Sequence, residues 1–306
     1  MNIRVSDRRQ FLFRLIGTVL SLGLIVLLVR QGGWAETVDA FKKISPSSIL
    51  LACLFILFSR FFVIGRWFIL LRSGGVQIPF SDATSLTFTG LFASNFLPTT
   101  IGGDVVRLLG AMQMGYDRAI CLASIAADRL VGVLGMIFVV PLGLIPALHS
   151  LGPNPVSQSF AISAGFNRLR QFITRTLQTF SIWLKQPLSI LGSLGCTWGH
   201  MLCTFVAIDV LIHGLGGDVA FWLIAGLWSL NYFVTLVPIS INGYGVQELT
   251  LTFLFSSVAG LTTGLSLTVA VLIRALYLAV SLVGAIYLPG ILTALDTDRV
   301  VESEGK

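Results

Sequence analysis

The chain has 306 residues, 55% of them hydrophobic and 11% charged, with a formal net charge of +6 and a mean hydropathy of +0.89. Soluble domains carry about 25% charged residues, so this composition cannot cover a water-facing surface. Several runs reach the roughly 20 apolar residues that a helix needs to cross a bilayer. Strand-like alternation is absent, which excludes a membrane barrel.

In chain order, residues 1–10 are polar and basic, with Arg4, Arg8 and Arg9, and are expected in the cytoplasm. The apolar run at 11–29 is too long for a secretory signal core and no small-residue cleavage site follows it, so it reads as an uncleaved first span. A second span, about 49–71, contains Arg60, Arg66 and Trp67. A short apolar stretch at about 82–97 ends in the segment Leu97-Pro98-Thr99-Thr100-Ile101-Gly102-Gly103-Asp104, with Arg107 one turn on. The next long span, about 120–148, carries Asp128-Arg129 well inside it. The stretch 150–187 holds Arg168, Arg170, Arg175 and Lys185 and no acid. Its apolar residues, Phe166, Leu169, Phe172, Ile173, Leu177, Phe180 and Trp183, recur at helical spacing. That pattern predicts an amphipathic helix on an anionic membrane face.

The second half follows the same plan. Spans at about 188–212 and 220–237 lead into Val237-Pro238-Ile239-Ser240-Ile241-Asn242-Gly243-Tyr244-Gly245, and Glu248 opens a short helix at 247–259. The last span, about 265–292, contains Arg274, and a polar tail occupies 294–306. The expected fold is an all-α polytopic membrane bundle of about eight hydrophobic segments over residues 11–293. Its halves, 49–148 and 188–293, are joined by the basic connector. Each half contains one broken or re-entrant helix pair. With the N-terminus inside, the Lys/Arg bias puts the connector in the cytoplasm and the two Pro/Gly segments on opposite sides, as in an inverted repeat.

Cys53, Cys121, Cys196 and Cys203 all lie in apolar runs and read as packing residues. They form no metal motif with the isolated histidines at 149, 200 and 213, which receive no role. No nucleotide-binding, zinc or serine-nucleophile motif is present, so neither a cofactor, a metal nor nucleic acid is expected.

The two Pro/Gly segments and the intramembrane charges carry the chemistry. Pro98 and Pro238 stop helices. Gly102, Gly103, Gly243 and Gly245 permit positive φ and close approach of backbone to a ligand, and Asn242 joins them in the second loop. The helices that follow, from near Asp104 and near Glu248, present N–H groups and a positive dipole end to an anion. Each acid also has a plain reading as a helix cap. Arg60, Arg66, Arg129 and Arg274 lie within spans, at a cost of about 2.5–3.5 kcal/mol each on insertion scales. Arg66, beside Trp67, is read as snorkelling to the interface. Asp128 and Arg129 point about 100° apart on a helix, so each is expected to pair on another helix. Five guanidinium groups (Arg60, Arg66, Arg107, Arg129, Arg274) face three carboxylates (Asp104, Asp128, Glu248), and that surplus suits an anionic headgroup.

Taken in this order, these residues resemble the lysylphosphatidylglycerol synthase transmembrane-region family, the flippase-like membrane domain. The resemblance rests on Pro98, Gly102-Gly103-Asp104, Arg107, Asp128-Arg129, then Pro238, Ser240, Asn242-Gly243, Gly245, Glu248 and Arg274, with Arg66-Trp67 in the second span. It covers about 11–293. It implies a lipid-handling membrane module of the bacterial plasma (inner) membrane. The family's aminoacyl-transferring members carry a large soluble catalytic domain after the membrane part. None follows in these 306 residues, so aminoacyl transfer is not expected. The reading is a non-enzymatic translocator of an anionic or polyprenyl-phosphate-linked lipid, working by alternating access. One alternative is a membrane scaffold for a separately encoded lipid-synthesising enzyme or glycosyltransferase. The other is an intramembrane lipid-modifying enzyme, for which no acid–base pair or nucleophile is evident.

Overall fold

A computed structural model describes residues 44–97, 102–150, 186–237 and 240–287, with a few isolated positions before residue 44. Almost all of the expected first span, the amphipathic connector at 151–185, the polar tail, Pro98 and Pro238 lie outside the described residues.

Among the described residues the fold is all-α. Helix α1 (Pro46–Ser73) starts where the Ser45 hydroxyl accepts the Ser48 N–H at 3.1 Å and Pro46 supplies a pre-set φ. It ends at Gly74-Gly75, with Gly75 at φ 100°. There follow α2 (Phe80–Ser94), α3 (Gly102–Gln113), α4 (Arg118–Ile137) and α5 (Val140–Ser150). The second half contributes α6 (Pro187–Gly214), α7 (Phe221–Thr235), α8 (Val246–Ser257) and α9 (Thr263–Ser281).

The halves repeat in length and in contact. Helices α1 to α4 have 28, 15, 12 and 20 residues, and α6 to α9 have 28, 15, 12 and 19. Both 28-residue helices open on a proline, Pro46 and Pro187. Packing follows suit: α2 lies on α3 as α7 lies on α8, α3 on α4 as α8 on α9, and α1 on α4 as α6 on α9. The most extensive contact of all joins α1 to α6, so the equivalent long helices form the central seam.

Helices α1, α4, α6 and α9 are long and apolar enough to cross a membrane, the last continuing to Tyr287. At 1.5 Å per residue the 15- and 12-residue helices reach only about 22 and 18 Å, short of a hydrocarbon core of about 30 Å. Each repeat therefore encloses a pair of part-length helices between two full spans. The lipid-facing side is apolar, as Leu50, Leu54, Phe58 and Phe61 along one face of α1 illustrate; all are about half exposed. The chain is a multi-pass membrane protein.

One boundary differs from the sequence expectation. The single span expected at 120–148 is two helices, α4 and α5. Pro141, the second residue of α5, has no N–H to give the Ile137 carbonyl, so α4 stops and a new helix begins. Helix α5 then turns across α7 where Gly143 meets Gly226, and a Cβ on either glycine would strike the backbone of the other helix.

Candidate functional site

The charges of the first half form one connected chain. Arg66 on α1 donates through Nε to Asp128 Oδ1 on α4 at 2.6 Å. Arg107 on α3 donates through Nη1 to Asp128 Oδ2 at 3.3 Å and to Asp104 Oδ1 at 3.2 Å. Arg129 on α4 donates through Nε to Asp104 Oδ2 at 2.7 Å. Asp128 and Arg129 thus turn to different helices, as adjacent positions must. The snorkelling expected of Arg66 does not occur: its side chain is 12% exposed and also donates to Thr197 Oγ1 of α6 at 3.3 Å. Trp67 is fully buried, with its indole N–H on Ser124 Oγ at 3.1 Å and its ring 4.1 Å from the Arg107 guanidinium carbon. A carboxylate within reach at depth satisfies Arg66 better than a detour to the interface.

In the second half, Arg274 on α9 donates through Nε to Glu248 Oε1 on α8 at 2.5 Å. The other Glu248 oxygen accepts the Gly245 N–H at 2.7 Å, so this acid both caps its helix and holds a cation. Arg274 also reaches the carbonyls of Asn242 and Gly243, at 3.4 and 3.2 Å. Those carbonyls face it because the loop runs through left-handed backbone, with φ 47° at Asn242, 71° at Gly243 and 79° at Gly245.

The expectation of positive φ for Gly102 and Gly103 is not met. Both lie in the first turn of α3, and neither has positive φ. Their use is packing. A Cβ on Gly103 would strike the Gly90 carbonyl of α2, and one on Gly102 would strike Leu97. Helix α3 accordingly begins two residues before Asp104, whose carboxylate receives two arginines.

The ion pairs obey the repeat. Asp104 is the third residue of its 12-residue helix and Glu248 the third of its own. Arg129 and Arg274 are each the twelfth residue of the long helix that follows. Sequence reasoning matched the two loops but not these two pairs.

Between the halves lies a cavity of two adjoining chambers, of about 280 and 330 Å³. The first is walled by Asp104, Arg107, Arg129, Arg274, Gly103, Asn242 and Gly243, together with Thr87, Tyr232 and Gln247. The second is walled by Arg60, Arg274 and Asn242, with Asn95, His200, Trp228, Gln247 and Tyr277. Leu91, Ser94, Tyr232, Asn242, Gln247 and Arg274 belong to both, so the chambers adjoin along these residues. Arg66, Asp128, Glu248, Gly102 and Gly245 stand behind the wall. Of these, Asp128 and Glu248 hold Arg107 and Arg274, the cations that face the cavity.

Arg60 has no carboxylate partner among the described residues. Its guanidinium carbon sits 4.6 Å from the centre of the Tyr277 ring, which is stacked on Trp228 at 6.1 Å. Around the first chamber, Thr87 Oγ1, Gln247 Nε2 and two Arg107 nitrogens (Nε and Nη2) are buried without a hydrogen-bond partner among the described residues. The wall thus offers spare donors and net positive charge, the complement of an anion. Asn95, His200, Tyr232, Gln247 and Tyr277 were missed by sequence reasoning. The polar pair Ser94-Asn95 closing an apolar helix was the available signal, whereas the others lie in apolar runs or beside a more conspicuous acid. Among the described residues no three His, Cys, Asp or Glu side chains converge as metal ligands would.

Residues 14–166 and 155–284 match the family model described as the lysylphosphatidylglycerol synthase TM region. No curated protein matches the chain.

Proposed function

The chain belongs to the lysylphosphatidylglycerol synthase TM region family, and on that premise we propose that it translocates an anionic lipid across the membrane. The observation that carries this reading is the two-chambered cavity between the repeats, with Arg60, Arg107, Arg129 and Arg274 on its walls and Asp104 as its one carboxylate among the lining residues. A charged side chain at this depth is expensive unless partnered, and among the described residues four guanidinium groups share three carboxylates while Arg60 has none. A phosphate headgroup supplies the missing negative charge and the acceptors that the spare donors require. Repeated halves around a central site, each with a part-length helix pair, support alternating access: one half rocks against the other while the headgroup stays bound. The membrane is the bacterial plasma membrane in this reading, with the N-terminus and the basic connector in the cytoplasm. The protein carries no catalytic role, and work comes from a gradient or from consumption of the lipid by a separately encoded enzyme.

The test is reconstitution into liposomes with fluorescent phosphatidylglycerol and an impermeant quencher. Wild-type protein should raise the rate of lipid crossing over protein-free liposomes, and Arg129→Ala should abolish most of that gain. Unchanged movement in Arg129→Ala and Arg274→Ala would sink the headgroup clamp. A wild type that moves no lipid but purifies in stoichiometric complex with a transferase would favour a scaffold.

A further inference from the structure

We propose that the headgroup carries two phosphates, one for each chamber, so that a lipid diphosphate or a bisphosphate lipid is preferred over a lipid with one. The proposal rests on the anionic-lipid reading and narrows it.

The positive surplus is not spread evenly. Three arginines have a carboxylate at 2.7 Å or closer: Arg66 on Asp128, Arg129 on Asp104 and Arg274 on Glu248. That leaves Arg107 and Arg60. Arg107 touches Asp104 and Asp128 only through Nη1, at 3.2 and 3.3 Å, and both carboxylates already have a shorter bond to another arginine. Its Nε and Nη2 are buried without a partner among the described residues, and it lines the first chamber. Arg60, also buried, has an aromatic ring in place of a carboxylate, and it lines the second chamber. The two unmatched charges therefore sit one per chamber.

Arg274 borders both chambers, with Ser94, Asn242 and Gln247 at the same junction. These supply neutral donors where two phosphates would meet. A single phosphate neutralises one chamber and leaves a buried guanidinium unmatched in the other, an arrangement that is strongly unfavourable. Two phosphates on one headgroup match both. Adjacent phosphates of a diphosphate and the glycerol-linked phosphates of cardiolipin both present this chemistry.

The experiment is equilibrium binding to the full chain purified in detergent. Farnesyl diphosphate is compared with farnesyl phosphate, and cardiolipin with phosphatidylglycerol. Inorganic pyrophosphate serves as the competitor that reports whether the lipid chain is needed. At least one two-phosphate lipid should bind about tenfold more tightly than its single-phosphate counterpart, and which one identifies the source. Arg60→Gln should collapse that ratio toward one, and Arg60→Lys, which keeps the charge, should restore most of it. Equal binding of both lipids of each pair overturns the proposal and leaves the anionic-lipid reading standing. A ratio that survives in Arg60→Gln also overturns it. Absence of saturable binding by any of the four lipids overturns both.

Discussion

Glu248 and Arg274 are joined by a 2.5 Å hydrogen bond between the third residue of a short helix and the twelfth residue of the long helix after it. Asp104 and Arg129 hold the same ranks in the first half and are joined at 2.7 Å. The pairs differ in their surroundings. Asp104 shares its load with Arg107, whereas Glu248 turns its second oxygen to a backbone N–H.

Asp128 likewise serves two arginines where Glu248 serves one, which predicts unequal damage on neutralisation. Asp128→Asn strips a partner from both Arg66 and Arg107, and breaking a buried pair costs about 3–5 kcal/mol. Glu248→Gln orphans only Arg274 and keeps an acceptor for Gly245. Thermal unfolding in detergent should therefore show Asp128→Asn as the more destabilised of the two. Arg274→Gln combined with Glu248→Gln should lose less than the sum of the single variants. Strict additivity would show that the pair is not coupled.

The glycine crossing predicts a second contrast. Gly226→Ala places a methyl against the Gly143 backbone, and overpacking of this kind costs about 1–3 kcal/mol. Gly195, in the interior of α6, has nothing within 4 Å of the added atom. Gly195→Ala should be neutral or stabilising by up to about 1 kcal/mol through helix propensity. Melting temperatures of the two variants measured side by side give the answer, and the reverse order would contradict the packing described.

The second loop predicts a third. Gly245 has φ 79° and its N–H is held by Glu248. Gly245→Ala forces an L side chain into left-handed backbone, at a cost of about 1–2 kcal/mol. It should slow lipid movement as well as lower stability, because the loop carbonyls that orient Arg274 shift. Asn242→Gly, at a φ of 47° that glycine adopts freely, should be tolerated in the stability assay. Full transport by Gly245→Ala would show that the loop's shape is dispensable.

A pH dependence follows from Tyr116, outside the membrane-spanning helices. Its hydroxyl donates to Asp82 Oδ2 at 3.0 Å, tying the turn after α3 to the first turn of α2. Partial burial, and then this hydrogen bond to Asp82, push its pKa above the ordinary 10. The folded state thus prefers the neutral phenol. Its contribution is complete below the unfolded pKa of about 10 and is lost as pH rises through the raised folded value. Thermal unfolding of Tyr116→Phe should be less sensitive than wild type to pH in that alkaline window. Identical slopes would remove Tyr116 as the cause.

The membrane class, the two broken helix pairs and most arginines of the cavity wall were legible in the sequence, because charge and Pro/Gly are conspicuous against an apolar background. What was not legible depends on which faces meet. The role of Gly103 is set by the Gly90 carbonyl of the preceding helix and that of Gly102 by the Leu97 side chain, and not by any demand for positive φ. Arg66 looked interfacial because its neighbour Trp67 has that habit, but Asp128, 62 residues on, decides its position. The split after α4 was readable from Pro141, but the length of the apolar run concealed it. Tyr277 and His200 face the second chamber only because of their register on α9 and α6, which no spacing rule fixes in advance.

Among the described residues, no ion pair between spans crosses from one half to the other: Arg66, Arg107 and Arg129 find their acids before residue 130, and Arg274 finds its acid 26 residues back. Each half can therefore leave the ribosome and settle into lipid with its own acids already matched, without waiting for the other to be made. Arg60 is the exception, since its ring partner Tyr277 is synthesised more than two hundred residues later. The first half thus enters the bilayer with a cation that only the completed protein can shelter.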